Sequence, residues 1–469
     1  MKNIESIAEI AHLMRRAGFG AHRDELEQLV AIGYEAAVEG LLDPSEELMP
    51  ADDYLLYRYL PSTEVGGPNP VPGAANWLYN MVNTDRLLEE KMALFWHQVF
   101  ATGNSKVDNG NHLTYQIQMF REHGTGNYRD LLIKLAQNPA MIYWLDNHEN
   151  HKRAPNENWG RELLELFSLG VGNYTEKDVF ECARAFTGWT IGAKMPRAPH
   201  HRFSWHYEFH PEQHDYSEKT FLGETGNFDG EDIIDIILQQ DACSRFVARH
   251  LYNFFVEDEP QVPSWSIEPP RNPEAIDLLA RTFVDANFEI KPVLRVLFNS
   301  EFFKNATYKK VKSPVEVVIN TLRVTGDALG PDPRLLELGQ YPGYMGQSLH
   351  DPPSVEGWHT GKEWVNTGSV VQRINFVADH FSNVDLPGVK SIVSHVISNG
   401  EVMTPEKLVD RCLEYMGPVQ ASDKTRSELV THAKSEGPLD CSDNQGDDVA
   451  RRIGDMLALI GSTVEYQYC

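Results

Sequence analysis

Apolar and polar positions follow a helical spacing between Asn156 and Phe167. At about 100° per residue, the apolar side chains share one continuous arc, which predicts a helix with one buried face. Asn156 follows Pro155 and is a suitable N-cap for this helix. The remaining arc carries the polar side chains Glu157, Asn158, Arg161, Glu162 and Glu165.

A second helix is predicted directly after the turn at Gly170 and Gly172, where positive φ angles end the first helix. Thr175 and Asp178 match the spacing of a capping box, and acids such as Glu176 are favoured in a first helical turn. Apolar side chains then recur at helical spacing and predict the core face: Val179, Cys182, Ala183 and Phe186. Two acid-rich helix starts therefore follow each other closely.

Most of the remaining chain also shows helical spacing, with one change of period after Trp189. Phe203, Trp205, Tyr207 and Phe209 alternate with polar residues, which predicts a strand, and the following segment KTFLG is expected to pair back on it. We therefore predict a mainly α fold, a multi-helix globular array with a small β-hairpin insertion near residues 200–223. The main helical domain is expected to span 1–375, with a loop at 259–273, and residues 376–469 to form an α-helical C-terminal region.

The composition excludes several classes of protein. The 469 residues carry a formal net charge of −26, which argues against a nucleic-acid surface and an anionic membrane surface. No apolar run approaches the roughly 18 residues that a membrane-spanning helix requires. Five scattered cysteines and the absence of a signal-peptide pattern in the first residues predict reduced thiols and a cytoplasmic protein.

Three further groups of residues are candidates for chemistry. His97 lies in the aromatic segment FWHQVF, a setting more typical of a core histidine bonded to backbone. His214, Asp215 and Lys219 suit metal ligation, acid–base chemistry or only a turn. The Pro- and Gly-rich segment 345–364 carries Trp358 and Trp364, which suit either ring stacking or a core beneath a loop.

Several segments together resemble one bacterial family. The chain carries, in this order, HLMRRAGFG, EKMALFWHQVF, NPAMIYWLDN, PNENWGRELLELFSLGVGNYTEKDV, ARAFTGW, HDYSEKTFLG, KSPVEVV and GQSLHDPPSVEGW. From about residue 9 to 375 they resemble the family called domain of unknown function 1800, which has no established reaction. Similar members usually carry a second histidine where this chain has Val99, and many relatives are exported.

The resemblance implies where a site lies. The residues of this chain that match the polar and aromatic positions of the family's motifs are His97, Asn156, Glu157, Arg161, Glu162, Glu165, Glu176, Asp178, Trp189, His214, Asp215, Lys219 and Trp358. Genes of the family often lie beside a family related to phosphatases and sulfatases, which implies a partner of that kind.

The first hypothesis is a metal-dependent enzyme, hydrolytic or redox, that acts on a small-molecule substrate. Oxygen-rich ligation suits Mn, Fe, Mg or Ca, and the expected ligands are Glu157, Glu162, Glu165, Glu176, Asp178, His214 and Asp215. The expected catalytic residues are Arg161, Glu162 and Lys219. The expected substrate-binding residues are His97, Trp189, Trp358 and Trp364.

Two alternatives belong to other classes. A metal-free carbohydrate-active or carbohydrate-binding protein would present paired carboxyl groups about 5–9 Å apart beside Trp189, Trp358 and Trp364. A non-enzymatic scaffold for the phosphatase- or sulfatase-like partner would use the polar residues as buried struts.

Overall fold

The computed structural model describes residues 2–60, 69–194, 204–397, 402–441 and 447–469. The N-terminal half contains the helices α1 (Lys2–Ala17), α2 (Arg23–Ile32), α3 (Tyr34–Leu42), α4 (Asp53–Tyr59), α5 (Val71–Asn83), α6 (Leu87–Val99), α7 (Asn104–Val107), α8 (Gly110–His123), α9 (Tyr128–Ala136), α10 (Pro139–Trp144), α11 (Asn158–Glu162) and α12 (Glu176–Ala185). A 3₁₀ helix, Asn147–Glu149, precedes α11, and a π-helix, Leu163–Ser168, continues it.

Strands and further helices follow. The strands are β1 (Trp189–Lys194), β2 (Ser204–Phe209), β3 (Lys219–Phe221), β4 (Glu224–Gly226), β5 (Val402–Met403) and β6 (Leu439–Asp440). The helices are α13 (Gly230–Leu238), α14 (Asp241–Phe255), α15 (Pro273–Asp285), α16 (Ile290–Asn299), α17 (Glu301–Lys304), α18 (Pro314–Thr325), α19 (Leu335–Leu338), α20 (Tyr341–Tyr344), α21 (Thr367–Ser382), α22 (Pro387–Ile397), α23 (Pro405–Tyr415), α24 (Asp423–Ser435) and α25 (Asp447–Gly461). Short 3₁₀ helices are Val262–Ser266, Gly361–Val365 and Glu465–Gln467.

The mainly α prediction is confirmed, and the strands form two-stranded antiparallel pairs. β1 pairs with β2, so that Trp189 lies opposite Phe209. β3 pairs with β4 in a separate hairpin. The expectation that KTFLG pairs with the aromatic strand is therefore wrong, because a tight turn at Leu222 and Gly223 returns the chain onto β3 itself. The part of the predicted hairpin before Ser204, including Phe203, lies outside the described residues.

Apolar side chains form two large buried clusters. The first draws on residues from Ile7 to Phe376. The second joins α21–α25 to Val317 and Val324 of α18. The predicted boundary between residues 375 and 376 falls inside α21, and the division into two regions stays a prediction. All five cysteines are buried free thiols. Within the described ranges, every helix is too short or too polar to cross a membrane.

The two predicted acidic helices cross at a very short distance. A Cβ atom at Gly160 would lie 3.0 Å from the Val179 carbonyl oxygen and 3.1 Å from the Ala183 nitrogen. α11 and α12 therefore touch through backbone. This crossing brings the polar residues that follow Gly160 close to the start of α12.

Candidate functional site

The first group of predicted site residues forms an ion-pair network on the surface. Arg161 donates to Glu176 at 2.7 and 3.0 Å and to Glu157 at 3.2 Å. The Glu176 side chain is 77% exposed. Both carboxylates are therefore neutralised by one guanidinium and open to solvent.

Asp178 has a structural role at the start of α12. Its carboxylate accepts hydrogen bonds from the Thr175 backbone at 2.9 Å and from the Leu222 backbone at 2.8 Å. The first bond completes the predicted capping box, which is confirmed. The second ties α12 to the turn between β3 and β4.

The second predicted group lies at the other end of α12. His214 Nδ1 lies 2.8 Å from the Thr187 carbonyl oxygen, and Asp215 accepts from Arg184 at 2.8 Å. Lys219 Nζ donates to the Ser217 carbonyl oxygen at 3.1 Å. Burial raises the pKa of Asp215, but hydrogen bonds from Arg184 and Ser217 outweigh it and hold the pKa below its usual range. These residues connect the segment before β3 to the C-terminal end of α12 through hydrogen bonds and an ion pair.

The predicted metal ligands therefore do not converge. In the part of the chain that the structure describes, no group of three or more His, Cys, Asp or Glu side chains is arranged to hold a metal ion. Glu157, Glu176, Asp178 and Asp215 each have their own protein partners, which is the physical reason for the correction. As far as the structure describes the chain, these side chains do not fit a Mn, Fe, Mg or Ca ion.

The predicted aromatic platform is likewise not assembled. Trp189 is buried in the large N-terminal cluster against Phe186 and Tyr207. Trp358 and Trp364 are buried together with Val311 in a separate small cluster. His97 is fully buried against Trp77, His350 and Trp358. The expectation of a backbone hydrogen bond to His97 is not met within the part of the chain that the structure describes, where neither ring nitrogen has a hydrogen-bond partner.

Two of the predicted carboxylates face a groove instead. Glu162 and Glu165 line a groove with a volume of about 810 Å³. Its opposite wall comes from α14, from the 3₁₀ helix Val262–Ser266 and from residues 354–356. Charged and aromatic side chains of its lining include Glu162, Glu165, Phe246, Arg249, Trp265 and Glu356.

Local sequence explains how the acidic wall is built. Glu162 ends α11, and Glu165 lies in the π-helix, a rare helix type often found at functional sites. Gly170 ends the π-helix with a φ of +79°, in the left-handed region that the sequence predicted for it. A Cβ there would lie 3.0 Å from the Phe246 ring, so glycine also lets the opposite wall approach.

Glu162 is the most perturbed carboxyl group of this wall. It is half-buried, and in the described part of the chain no side chain forms a hydrogen bond or an ion pair with it. Burial, and then the charge of Glu165, raise the pKa of Glu162 to about 7, against a smaller opposing effect of Arg161. Glu165 accepts a hydrogen bond from the Tyr174 hydroxyl at 2.8 Å. The two neighbouring acids therefore differ in environment.

The opposite wall rests on a buried ion pair. Arg249 donates to Glu259 at 2.7 and 2.9 Å, and both side chains are buried. The Arg249 guanidinium lies 4.6 Å from the centre of the Trp265 ring, and Phe246 packs edge-on against that ring. Trp265 donates from Nε1 to the Pro260 carbonyl oxygen at 2.7 Å. Sequence reasoning missed this wall, because Trp265 lies in a Pro-rich segment that predicts only a loop.

A small inner compartment lies beside the groove and shares Leu166, Val262 and Glu356 with it. Its volume of about 20 Å³ is room for roughly one water-sized group. His250 Nε2 and Trp358 Nε1 are buried atoms on residues of its wall, and neither has a hydrogen-bond partner among the described residues. Trp358, a predicted substrate-binding residue, thus borders this compartment.

Comparison with known proteins identifies a family but no activity. No curated protein and no solved structure matches the chain. A family described as "Protein of unknown function (DUF1800)" matches residues 12–468, which extends the resemblance from the predicted limit near residue 375 to almost the whole chain. The chain therefore belongs to the DUF1800 family of proteins of unknown function.

Proposed function

We propose that the protein is a carbohydrate-active enzyme that binds a neutral saccharide in the 810 Å³ groove and uses Glu162 for proton transfer. One observation carries the proposal. Glu162 is a half-buried carboxyl group that has no counter-ion among the described residues, it lines the groove, and its pKa is raised to about 7. Such a group is suited to give and take a proton near neutral pH.

The neighbouring acid supports the same chemistry. Glycoside hydrolysis commonly uses two carboxyl groups, one that remains protonated and one that is ionised. Glu162 has the raised pKa of the proton donor, while Glu165 accepts a hydrogen bond from Tyr174. We assign Glu162 as the general acid and Glu165 as the carboxylate that stabilises positive charge on the ligand.

The remaining groove walls favour an uncharged ligand. Arg249 is bonded to Glu259, and Arg245 is bonded to Asp241 and Asp277, so both cations are already paired. The carboxylate role assigned to Glu165 would disfavour an anionic ligand. Trp265 and Phe246 offer apolar surface for the face of a sugar ring. The inner compartment has room for a water-sized group such as one hydroxyl, beside Trp358 Nε1.

This proposal replaces the first hypothesis of the sequence, whose metal ligands do not meet. The second hypothesis placed Trp189, Trp358 and Trp364 beside the carboxyl groups, and that arrangement fails because these rings are buried in two separate cores. The proposal keeps only its class of ligand and assigns the aromatic wall to Trp265 and Phe246. The phosphatase- or sulfatase-like partner stays a prediction.

The test compares two acids on opposite sides of one helix. Purified protein is incubated with a panel of neutral oligosaccharides and the release of reducing ends is measured. We expect Glu162→Gln to lower the rate by about 10²–10⁴-fold, because general acid catalysis contributes that much. The matched control is Glu157→Gln, on the exposed side, which should retain the full rate.

Two results would overturn the proposal. One is that no saccharide of the panel is bound or cleaved by the wild-type protein. The other is an equal rate for wild type and Glu162→Gln. A rate that falls as the pH rises through about 7 would support Glu162 as the acid, since its protonated form is lost there.

A further inference from the structure

Two fully buried histidines lie next to each other, away from the groove carboxylates. His97 belongs to α6, and His350 follows α20 in the chain. Their ring centroids are 6.2 Å apart and the ring planes are inclined by 59°. Trp77 packs edge-on against both rings, at 5.4 and 5.5 Å. At most 1% of either residue is exposed.

All four ring nitrogens of this pair lack a hydrogen-bond partner among the described residues. A neutral imidazole carries one donor and one acceptor, and buried polar atoms are normally satisfied. Each group that is left unsatisfied destabilises the folded protein. An unsatisfied nitrogen on each of two neighbouring rings points to a ligand that the rings share through one nitrogen each.

The backbone at His350 supports this interpretation. Its φ of +64° is in the left-handed region, which few residues other than glycine adopt and which recurs where a fold clamps a ligand. A Cβ atom at Gly73 of α5 would lie 2.9 Å from His350 Nδ1, so the ring is wedged against the backbone of that helix. The fold therefore holds His350 in a strained conformation beside His97.

We infer that His97 and His350 bind one metal ion between them, and that this ion is copper(I). Imidazole nitrogen is a common ligand for copper and zinc. Zinc–imidazole bonds are about 2.0–2.1 Å long and those of two-coordinate copper(I) are slightly shorter, so two imidazoles whose nitrogens face one ion from opposite sides have ring centroids roughly 6 Å apart. The observed separation of 6.2 Å suits such a two-coordinate arrangement.

The charge of the surroundings selects a monovalent ion. The pair has no third His, Cys, Asp or Glu ligand, since the described residues contain no metal-holding group of three. Glu90, the acid bonded to Trp77 Nε1, is already paired with Arg121. A divalent ion would keep two positive charges in an apolar interior, and the penalty for a buried charge grows with the square of that charge. Copper(I) carries one charge and accepts two ligands.

The test measures copper(I) binding directly, so its outcome is independent of the proposed reaction at Glu162. The full chain is titrated anaerobically with copper(I) in competition with a chromogenic copper(I) chelator. We expect one equivalent bound per chain. X-ray absorption of the loaded protein should show two nitrogen neighbours at about 2.0 Å with the outer-shell pattern of imidazole.

Three variants make the assignment specific to these residues. Replacing a residue that only orients a ligand lowers metal affinity about 10–100-fold, so removing a ligand in His97→Phe or His350→Asn should lower it by at least about 100-fold. Asparagine tolerates the left-handed φ at position 350, which protects the fold. The matched control is His112→Asn, which removes a buried imidazole that accepts a hydrogen bond from the Trp205 backbone at 2.9 Å. It should bind one equivalent.

The inference is overturned if wild type binds no copper(I), or if zinc(II) binds in its place. It is also overturned if both variants at positions 97 and 350 still bind one equivalent. Circular dichroism establishes that each variant is folded. Should a variant fail to fold, the X-ray absorption of wild type decides, because two imidazole neighbours support the site and any other ligand set contradicts it.

Discussion

The two sides of the segment formed by α11 and the π-helix carry the same residue type in opposite electrostatic states. On the exposed side, Glu157 and Glu176 share the guanidinium of Arg161. On the groove side, Glu162 follows Arg161 directly in sequence, yet it forms no ion pair with it. Five residues along the same segment thus separate Glu157, which is paired with Arg161, from Glu162, whose pKa is raised.

This contrast shows why acid-rich sequence alone does not define a site. A carboxylate that finds an arginine keeps a low pKa and contributes little chemistry. A carboxylate that is buried without a counter-ion retains its proton to higher pH. The sequence sets Glu176 and Asp178 apart as residues of a helix start, but it does not separate Glu157 from Glu162 and Glu165. Only the packing around these three acids distinguishes the two that line the groove.

The largest expected effect concerns the ion pair that supports the groove. Glu259→Gln should destabilise the protein by about 3–5 kcal/mol, because it leaves the buried Arg249 charge without its partner. Urea unfolding measures the loss. The matched control is Glu176→Gln on the exposed side, where a solvated arginine should leave the urea midpoint unchanged. If Glu259→Gln and Glu176→Gln unfold at the same urea concentration, the buried ion pair of the groove stabilises the protein no more than the exposed one, and the prediction is contradicted.

The second prediction uses the raised pKa of Glu162. An acid whose folded pKa exceeds its unfolded value of 4.5 binds a proton more tightly when folded, so unfolding releases a proton between pH 4.5 and about 7. Stability therefore falls as the pH rises through this window. Glu162→Gln removes the free-energy cost of ionising a half-buried carboxyl group in the folded protein. It should therefore stabilise the protein by roughly 1–2 kcal/mol at pH 8, after allowance for solvent screening.

The same comparison at pH 4 supplies the reference, since Glu162 is then largely protonated in both states and the variant should gain little. If Glu162→Gln is more stable than wild type by the same amount at pH 4 and pH 8, the effect comes from packing and not from the ionisation of Glu162. Glu165→Gln sharpens the result, because the Glu165 charge contributes to the raised pKa of Glu162. In that variant the pH at which stability falls should move downward.

Local features of the fold were predictable from sequence, and the groove was not. The capping box of Thr175 and Asp178 and the helix end at Gly170 follow from short-range rules, and the structure has both. The buried face Val179, Cys182, Ala183 and Phe186 also appears as predicted. Each of these depends on residues within one or two helical turns.

The rest depends on contacts between distant segments. Phe246, Arg249 and Trp265 meet Glu162 only through the packing of α14 and the 3₁₀ helix Val262–Ser266, for which a single sequence contains no signal. The π-helix was also missed, because its apolar spacing resembles that of an ordinary α-helix. Trp189, Trp358 and Trp364 suggested stacking surfaces, yet large aromatic rings also fill cores, and here they do.

The smallest expected effect tests whether the two sides still influence each other. The Arg161 charge lowers the pKa of Glu162, although burial and Glu165 outweigh it. Arg161→Met should therefore move the titration midpoint of Glu162 upward, with little change in stability because the pairs of Arg161 are solvent-exposed. Side-chain carbon NMR of labelled glutamate follows this midpoint. The matched control is Arg129→Met, since Arg129 is 33% exposed against 34% for Arg161 and pairs with Asp235 instead. A downward shift in Arg161→Met, or equal shifts in both variants, would mean that the charge of Arg161 does not reach the groove side of its own helix.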